Sequence, residues 1–346
     1  ETRGYGVEGR LSGAENLHTD LPRLAAGNVV GQFWSVWVDP VLEGTEQVLA
    51  TLEQIDFVRR FVDAYPDRLR FTTTANEVRA AMSAGRIASL IGIEGGAQIG
   101  GSLAALRQYA RLGARYMTLT WSETTSWADS ATDRARHEGL TEFGRGVVRE
   151  MNRIGMLVDL AHVSPRTMRD ALAESALPVM VSHSSAWQLC KHPRNVPDDV
   201  LRSVGERDGV VMVAFVPSFL SEERRAWVEA GQIGAPPPVG IADIANHVEY
   251  VRELAGVHAV GLGADYDGTD AMPIGLEDVS GYPRLFDELE RRGWSETDLL
   301  GLSRDNVLRV IESADGQYHR FLTGDAGAPE ELAIQPGTDT ALRQAS

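Results

Sequence analysis

Three strand-like apolar runs end in residues of the kind that bind metals. IASLIGIE ends in Glu94, MLVDLAH in His162 and PVMVSH in His183, and a fourth run, AVGLGAD, ends in Asp265. A carboxylate and two neutral imidazoles suit zinc, and a zinc site with an open position lowers the pKa of bound water to about 7. Hydroxide made available in this way can attack an amide carbonyl. A nearby aspartate can take the water's proton and pass it to the leaving amine. Packing alone does not ask for such residues at three strand exits, whereas a parallel barrel gathers its strand ends at one mouth, where residues remote in sequence meet.

The elements that would position them alternate along the chain. Seven strand-like runs are read at 31–38, 86–93, 114–121, 155–161, 178–183, 209–216 and 258–265. Between them lie helical patterns such as EQVLATLEQIDFVRRFVDAY, FGRGVVREMNRIG and IADIANHVEYVRELAG, many entered by Ser, Thr or Asp and several left at Gly. Alternating strands and helices with nearly continuous apolar strands predict a parallel sheet covered on both faces, an α/β fold of the TIM-like (β/α)8 barrel type. A closed barrel of this kind takes eight strands. The eighth is expected ahead of the first run and is not read anywhere in this chain, because residues 1–28 hold no strand-like stretch. Within them TDLPRLAAG predicts a short helix with Thr19 as its cap, Pro22 in the first turn and Gly27 as its stop. One barrel domain is expected over residues 1–315. Residues 316–346 are polar, lack a clear period and are read as an arm or tail.

Composition narrows the partners. The chain has 346 residues, 43% of them hydrophobic, enough for a sizeable core in a single domain. A formal net charge of -16 argues against phosphate backbones and anionic membranes, which reward clustered Lys and Arg, so neither nucleic acid nor membrane is expected as a partner. The single cysteine, Cys190, allows neither an internal disulfide nor a cysteine-based zinc site. No apolar run reaches the ~20 residues of a membrane span and no signal-peptide pattern is read, so a cytoplasmic location is the expectation.

The motifs HTDLPRLAAG, RIASLIGIEGG, GARYMTLTW, GMLVDLAHVSPRTM, PVMVSHSSA, HPRNVPDDVL, GLGADYDG and LEDVSGYPRLFDELERRGW occur in this order. Together they resemble the membrane (renal) dipeptidase family of zinc peptidases, and particularly its soluble actinobacterial members, from about residue 1 to about residue 315. The resemblance implies a binuclear zinc barrel. Glu94 would bridge two metals, and His162 and His183 would complete one of the two sites. Arg194 of the PRN motif would bind the free carboxylate of a small peptide substrate, and Asp265 would carry the proton at the scissile amide. A homodimer is also implied.

Two positions depart from the family pattern. The family's first strand ends in a His-x-Asp pair that binds the other zinc, and this chain offers His18 and Asp20 with no strand before them. They are read as a helix entrance, which leaves one zinc site fully supported. Trp121 stands where many members have a histidine that contacts the substrate carbonyl; indole donates one N–H but carries no charge. Trp121 is therefore read as a substrate contact with weaker electrostatic help, the loss of one such donor typically costing ~10²-fold in rate.

Each assignment has a structural rival. His162 and His183 could be satisfied core histidines, Asp265 a turn residue of DYDG, and Arg194 a surface ion-pair partner of Asp198 or Asp199. Asp267 reads as a turn residue, Trp34 and Trp37 as packing, and His192 and His258 are left out of the site. The function favoured is a zinc metallodipeptidase acting on dipeptides with a free C-terminal carboxylate. The alternatives are a catalytically impaired or noncatalytic relative that binds a small ligand, and an amidohydrolase acting on another amide or a lactam.

Overall fold

Each of the seven apolar runs forms a strand in the computed structural model of the protein, which describes residues 17–329. The strands are β1 Gly31–Trp37, β2 Leu69–Phe71, β3 Ile87–Glu94, β4 Ala114–Thr118, β5 Leu157–Asp159, β6 Met180–Ser184, β7 Val210–Val213 and β8 Val260–Leu262. β2 was not expected; its three residues are too few for a period to be read. It pairs with the start of β3, Leu69 opposite Ile87, while β4 pairs further along, Glu94 opposite Thr118.

The sheet runs β1-β3-β4-β5-β6-β7-β8, all parallel. Among the described residues β1 and β8 do not pair with each other, so the seven strands of this path form an open half-barrel, with β2 set beside β3 as the eighth strand of the sheet. The stretch ahead of Leu17, where no strand was read, lies outside the described residues. Curling brings distant strand ends together. Glu94 on β3 and His183 on β6 are three strands apart, which in a flat sheet is ~14 Å, yet their side-chain atoms come within 3.4 Å. The register keeps the exits level: Trp37 lies opposite Glu94, Glu94 opposite Thr118, and Thr118 opposite Asp159.

Burial on both faces, as predicted, holds for β3 to β7, whereas the edge strand β1 is largely part-exposed. Ile91, Ile93, Met117, Val158, Val181, Val211 and Val213 are fully buried or nearly so. Alternation on β1 sends Phe33 inward, edge-on to Tyr116 at 5.0 Å, and Trp34 outward to Phe61 of the helix Thr45–Ala64 at 5.2 Å. Gly92 of β3 makes room for the Tyr116 ring, since a Cβ there would lie 2.0 Å from Tyr116 Cζ.

The helices begin where the sequence supplies a cap. Thr74 and Glu77 form a reciprocal capping box at Ala75–Ser83, and Ser102, Thr141 and Ser164 cap the helices that follow β3, β4 and β5. At the first helix, Leu21–Ala26, the cap is Asp20 and not Thr19. Asp20 stands immediately before the first helical residue, so its Oδ1 accepts from Arg23 N at 2.7 Å, a reach Thr19 lacks from one position earlier.

The last helix, Asn306–Thr323, crosses the boundary drawn at residue 315. Its Tyr318 and Phe321 are buried, and the Tyr318 hydroxyl donates to Ala110 O at 3.1 Å. From β4 the fully buried Arg115 meets Asp315 Oδ1 at 3.1 Å and lies over the Tyr318 ring. The end of the expected tail, from residue 330, lies outside the described residues. No described helix is long and apolar enough to cross a membrane.

Candidate active site

The exits of β3, β5 and β6 bring Glu94, His162 and His183 to one point. His162 Nε2 lies 3.0 Å from Glu94 Oε1 and 2.9 Å from His183 Nε2, and His183 Nε2 lies 3.4 Å from Glu94 Oε1. Among the described residues this is the one group of three or more His, Cys, Asp or Glu side chains able to share a metal ion. Two imidazole nitrogens and a carboxylate oxygen, all aimed at one another, are a donor set of the type zinc takes, so the residues present fit a metal. Glu94 is steadied from β1, where Ser35 Oγ donates to its Oε2 at 2.8 Å.

His162 and Asp265 are among seven described non-glycine residues with positive φ. His162 has φ +67° and Asp265 φ +63°, in the left-handed region that non-glycine side chains avoid. Such strain persists where the surrounding structure over-determines it, and it gathers at functional sites.

The electrostatics are those of charges forced together out of water. Burial raises the Glu94 carboxyl's pKa, but hydrogen bonds from His162 and His183 outweigh it and hold the group well below the usual carboxylate range. His162 is pushed down to about 3, first by burial and then by the charge of Arg194. Burial also opposes charge on His183, yet Asp265 and Glu94 prevail and raise its pKa. Asp265 is raised by burial and by Glu94, against the pull of His183 and Arg194.

Arg194 is buried, not a surface ion-pair partner. Asp199 is taken by Arg169 at 2.7 Å and Asp198 by the Tyr250 hydroxyl at 3.0 Å. Arg194 instead donates to Ser184 Oγ at 3.2 Å and to His183 O at 3.3 Å, and its guanidinium lies over Phe219. Among the described residues no carboxylate lies within ion-pair distance of it, and burial pushes its pKa down to about 10. A cavity of about 1460 Å³ opens beside this cation and is lined by Glu94, Trp121, His162, His183, Arg194 and Asp265. All six residues expected at the site therefore border one space. Trp121 stands 6.1 Å from the His162 ring and 5.0 Å from that of Trp37, so Trp37 packs against a site residue while Trp34 packs on a helix.

His18 and Asp20 do not join the metal-type group. Asp20 caps the first helix, while His18 Nδ1 accepts from Asp267 N at 3.0 Å and His18 N donates to Asp267 Oδ1 at 2.6 Å. Asp267, read as a turn residue, thus also ties the DYDG turn to the first helix. His192, left out of the site, borders the cavity, accepts from Arg194 N at 3.2 Å and lies tilted against Phe219 with ring centroids 4.4 Å apart. Sequence reasoning also missed Ser35, Asp159, Ser182 and Ser184. The last three stand within a few residues of His162 or His183, and that adjacency was the available signal.

A parallel half-barrel with metal-type side chains at its strand exits places the protein in the class of metal-dependent barrel hydrolases. The model of the membrane dipeptidase family, peptidase family M19, matches residues 8–321, and the chain belongs to this family of peptide-bond hydrolases. Among solved structures it is similar to a metallopeptidase from Rhodobacter sphaeroides liganded with a phosphinate mimic of the dipeptide L-Ala-D-Ala. That pair shares 26% identity over 88% of this chain and 92% of the other, with a TM-score of 0.79. Dipeptidase AC, a metallopeptidase of family M19, is 28% identical over 88% of this chain and 91% of its own, also with a TM-score of 0.79. The probable dipeptidase PvdM from Pseudomonas aeruginosa, 18% identical over 90% and 94%, shares the fold with a TM-score of 0.81.

Proposed function

We propose that this protein is a zinc-dependent dipeptidase for small peptides with a free C-terminal carboxylate. The observation that carries the reading is a metal-type triad, Glu94, His162 and His183, sharing one cavity with a buried arginine that has no carboxylate partner among the described residues. The L-Ala-D-Ala mimic held by the Rhodobacter sphaeroides relative supports a dipeptide-sized substrate.

Glu94, His162 and His183 would hold the metal, which when bound supplies Lewis acidity and lowers the pKa of water to about 7. Arg194 pairs its planar guanidinium with the substrate's terminal carboxylate through two parallel hydrogen bonds, fixing the peptide's direction. Asp265, whose carboxylate has no hydrogen-bond partner among the described residues and faces the cavity, takes a proton from the attacking water. It returns that proton to the leaving amine nitrogen as the C–N bond breaks. Trp121 and Trp37 pack edge to face at 5.0 Å and give one side of the space an apolar wall.

The test combines metal analysis with a dipeptide panel. Zinc bound to the purified protein and amino acids released from dipeptides support the reading. Zinc binding without hydrolysis supports the alternative of a noncatalytic relative, and hydrolysis only of amides lacking a carboxylate supports a different amidohydrolase.

A further inference from the structure

Behind His183 lies a chain of hydrogen bonds between buried side chains. Ser182 Oγ stands 2.8 Å from His183 Nδ1 and 2.6 Å from Asp159 Oδ2. The same carboxylate receives Thr118 Oγ1 on Oδ2, and Ser182 N at 2.8 Å and Ala161 N at 3.1 Å on Oδ1. Thr118, Asp159, Ser182 and His183 are all buried. Four donors converge on Asp159, which is the environment of an ionised carboxylate acting only as acceptor.

This arrangement fixes where the protons sit. Ser182 has a single hydroxyl hydrogen, and the carboxylate is its strongest acceptor. With that hydrogen committed to Asp159, the Ser182 oxygen presents a lone pair to His183, so Nδ1 must bring the proton. Nothing comparable holds the second imidazole. His162 Nδ1 is buried and has no hydrogen-bond partner among the described residues.

We propose that Ser182 and Asp159 are positioning residues that hold His183 as its Nδ1–H tautomer, aiming the Nε2 lone pair at the point shared with Glu94 and His162. The inference rests on the metal reading above and deepens it: the strand exits provide ligands, and this relay determines which nitrogen of one ligand is available. Partners of this kind raise ligand basicity and fix ring orientation, and their loss typically weakens metal binding about 10–100-fold.

Two measurements on the full chain test it. Nitrogen-15 NMR of the metal-free protein at alkaline pH, where the imidazole is neutral, should place the His183 proton on Nδ1. In Ser182→Ala that preference should be lost, with the fold checked by circular dichroism and thermal melting. In parallel, competition with a chromophoric chelator should give a zinc affinity about 10–100-fold weaker for Ser182→Ala than for the wild type, and Ser182→Thr, which keeps the hydroxyl, should recover most of the loss. Asp159→Asn should shift both readouts in the same direction. A folded Ser182→Ala protein with unchanged zinc affinity and an unchanged His183 tautomer overturns the proposal. Failure of the wild type to bind zinc overturns the metal reading instead, while the tautomer measurement still decides the relay.

Discussion

The Nε2 atoms of His162 and His183 face each other across 2.9 Å, with Glu94 Oε1 within 3.4 Å of both. Two imidazole nitrogens and a carboxylate oxygen converging on one point are a donor set of the type zinc takes. Zinc should therefore stabilise the folded protein, by about 2.7 kcal/mol when its concentration is 100 times the dissociation constant. Thermal melting with and without zinc measures this. Glu94→Gln should abolish most of the shift, and an equal shift in that variant would remove Glu94 from the metal site.

Arg194 separates peptides from other amides. Charge-assisted hydrogen bonds of the expected type contribute about 1.5–3 kcal/mol, so Arg194→Ala should lower kcat/KM for a dipeptide roughly 10- to 100-fold. An amide of similar size without a terminal carboxylate should be nearly indifferent to the change. Steady-state kinetics on the two substrates provides the comparison, and equal losses on both would refute the carboxylate assignment.

His247 gives the loops around Arg194 a pH-dependent support. Its Nδ1 accepts from Ala186 N at 3.0 Å and its Nε2 meets Leu220 O at 3.1 Å, and burial pushes its pKa down to about 4 from the ordinary 6.5. A lowered histidine pKa contributes stability that is fully present above pH 6.5 and is lost as pH falls toward 4, where the folded protein must also take up the proton. The contribution is at most ~3 kcal/mol, from 1.36 kcal/mol per pKa unit. Urea unfolding of the wild type and His247→Asn should differ most near neutral pH and converge on acidification. A constant difference would exclude the titration.

Asp315 balances a charge that water cannot reach. Arg115 is fully buried and its carboxylate partner is Asp315 at 3.1 Å. Removing one member of such a pair strands the other, at a cost of about 3–5 kcal/mol. Asp315→Ala should show that loss in chemical denaturation. Arg115→Met with Asp315→Ala should recover much of it, because the double change leaves no unpaired charge. No recovery would mean that the helix contact, not the charge, is what matters.

Much of this was legible in the order of the residues. Continuous apolar runs such as IASLIGIE can be buried on both faces only in a covered parallel sheet, and the residues that end them inherit the mouth of the barrel. β2 was not legible, because Leu69–Phe71 has too few residues for alternation to show. Asp20 was passed over for Thr19 because the two are adjacent and both are good caps; only the position of the first helical residue decides between them. Arg194 could be read either as a clamp or as a surface partner, since burial depends on how the loop after β6 folds back, and that fold is held by contacts remote in sequence such as His247 with Ala186. Ser182 and Asp159 were hidden for a similar reason. A serine beside a histidine is common, and only the pairing of neighbouring strands makes the two part of one relay.

The tie between Arg115 and the last helix also bears on how the chain is made. The residues that enclose Arg115, Asp315 and Tyr318, come some 200 positions later, and Tyr318 reaches back 208 positions to Ala110. On a ribosome, β4 emerges with a guanidinium that has neither its counter-charge nor its aromatic cover. The centre of the sheet then lacks these contacts until the helix that carries them has been made. Contacts spanning so much of the chain are slow to form, and until they do the apolar strands around Arg115 lack this cover.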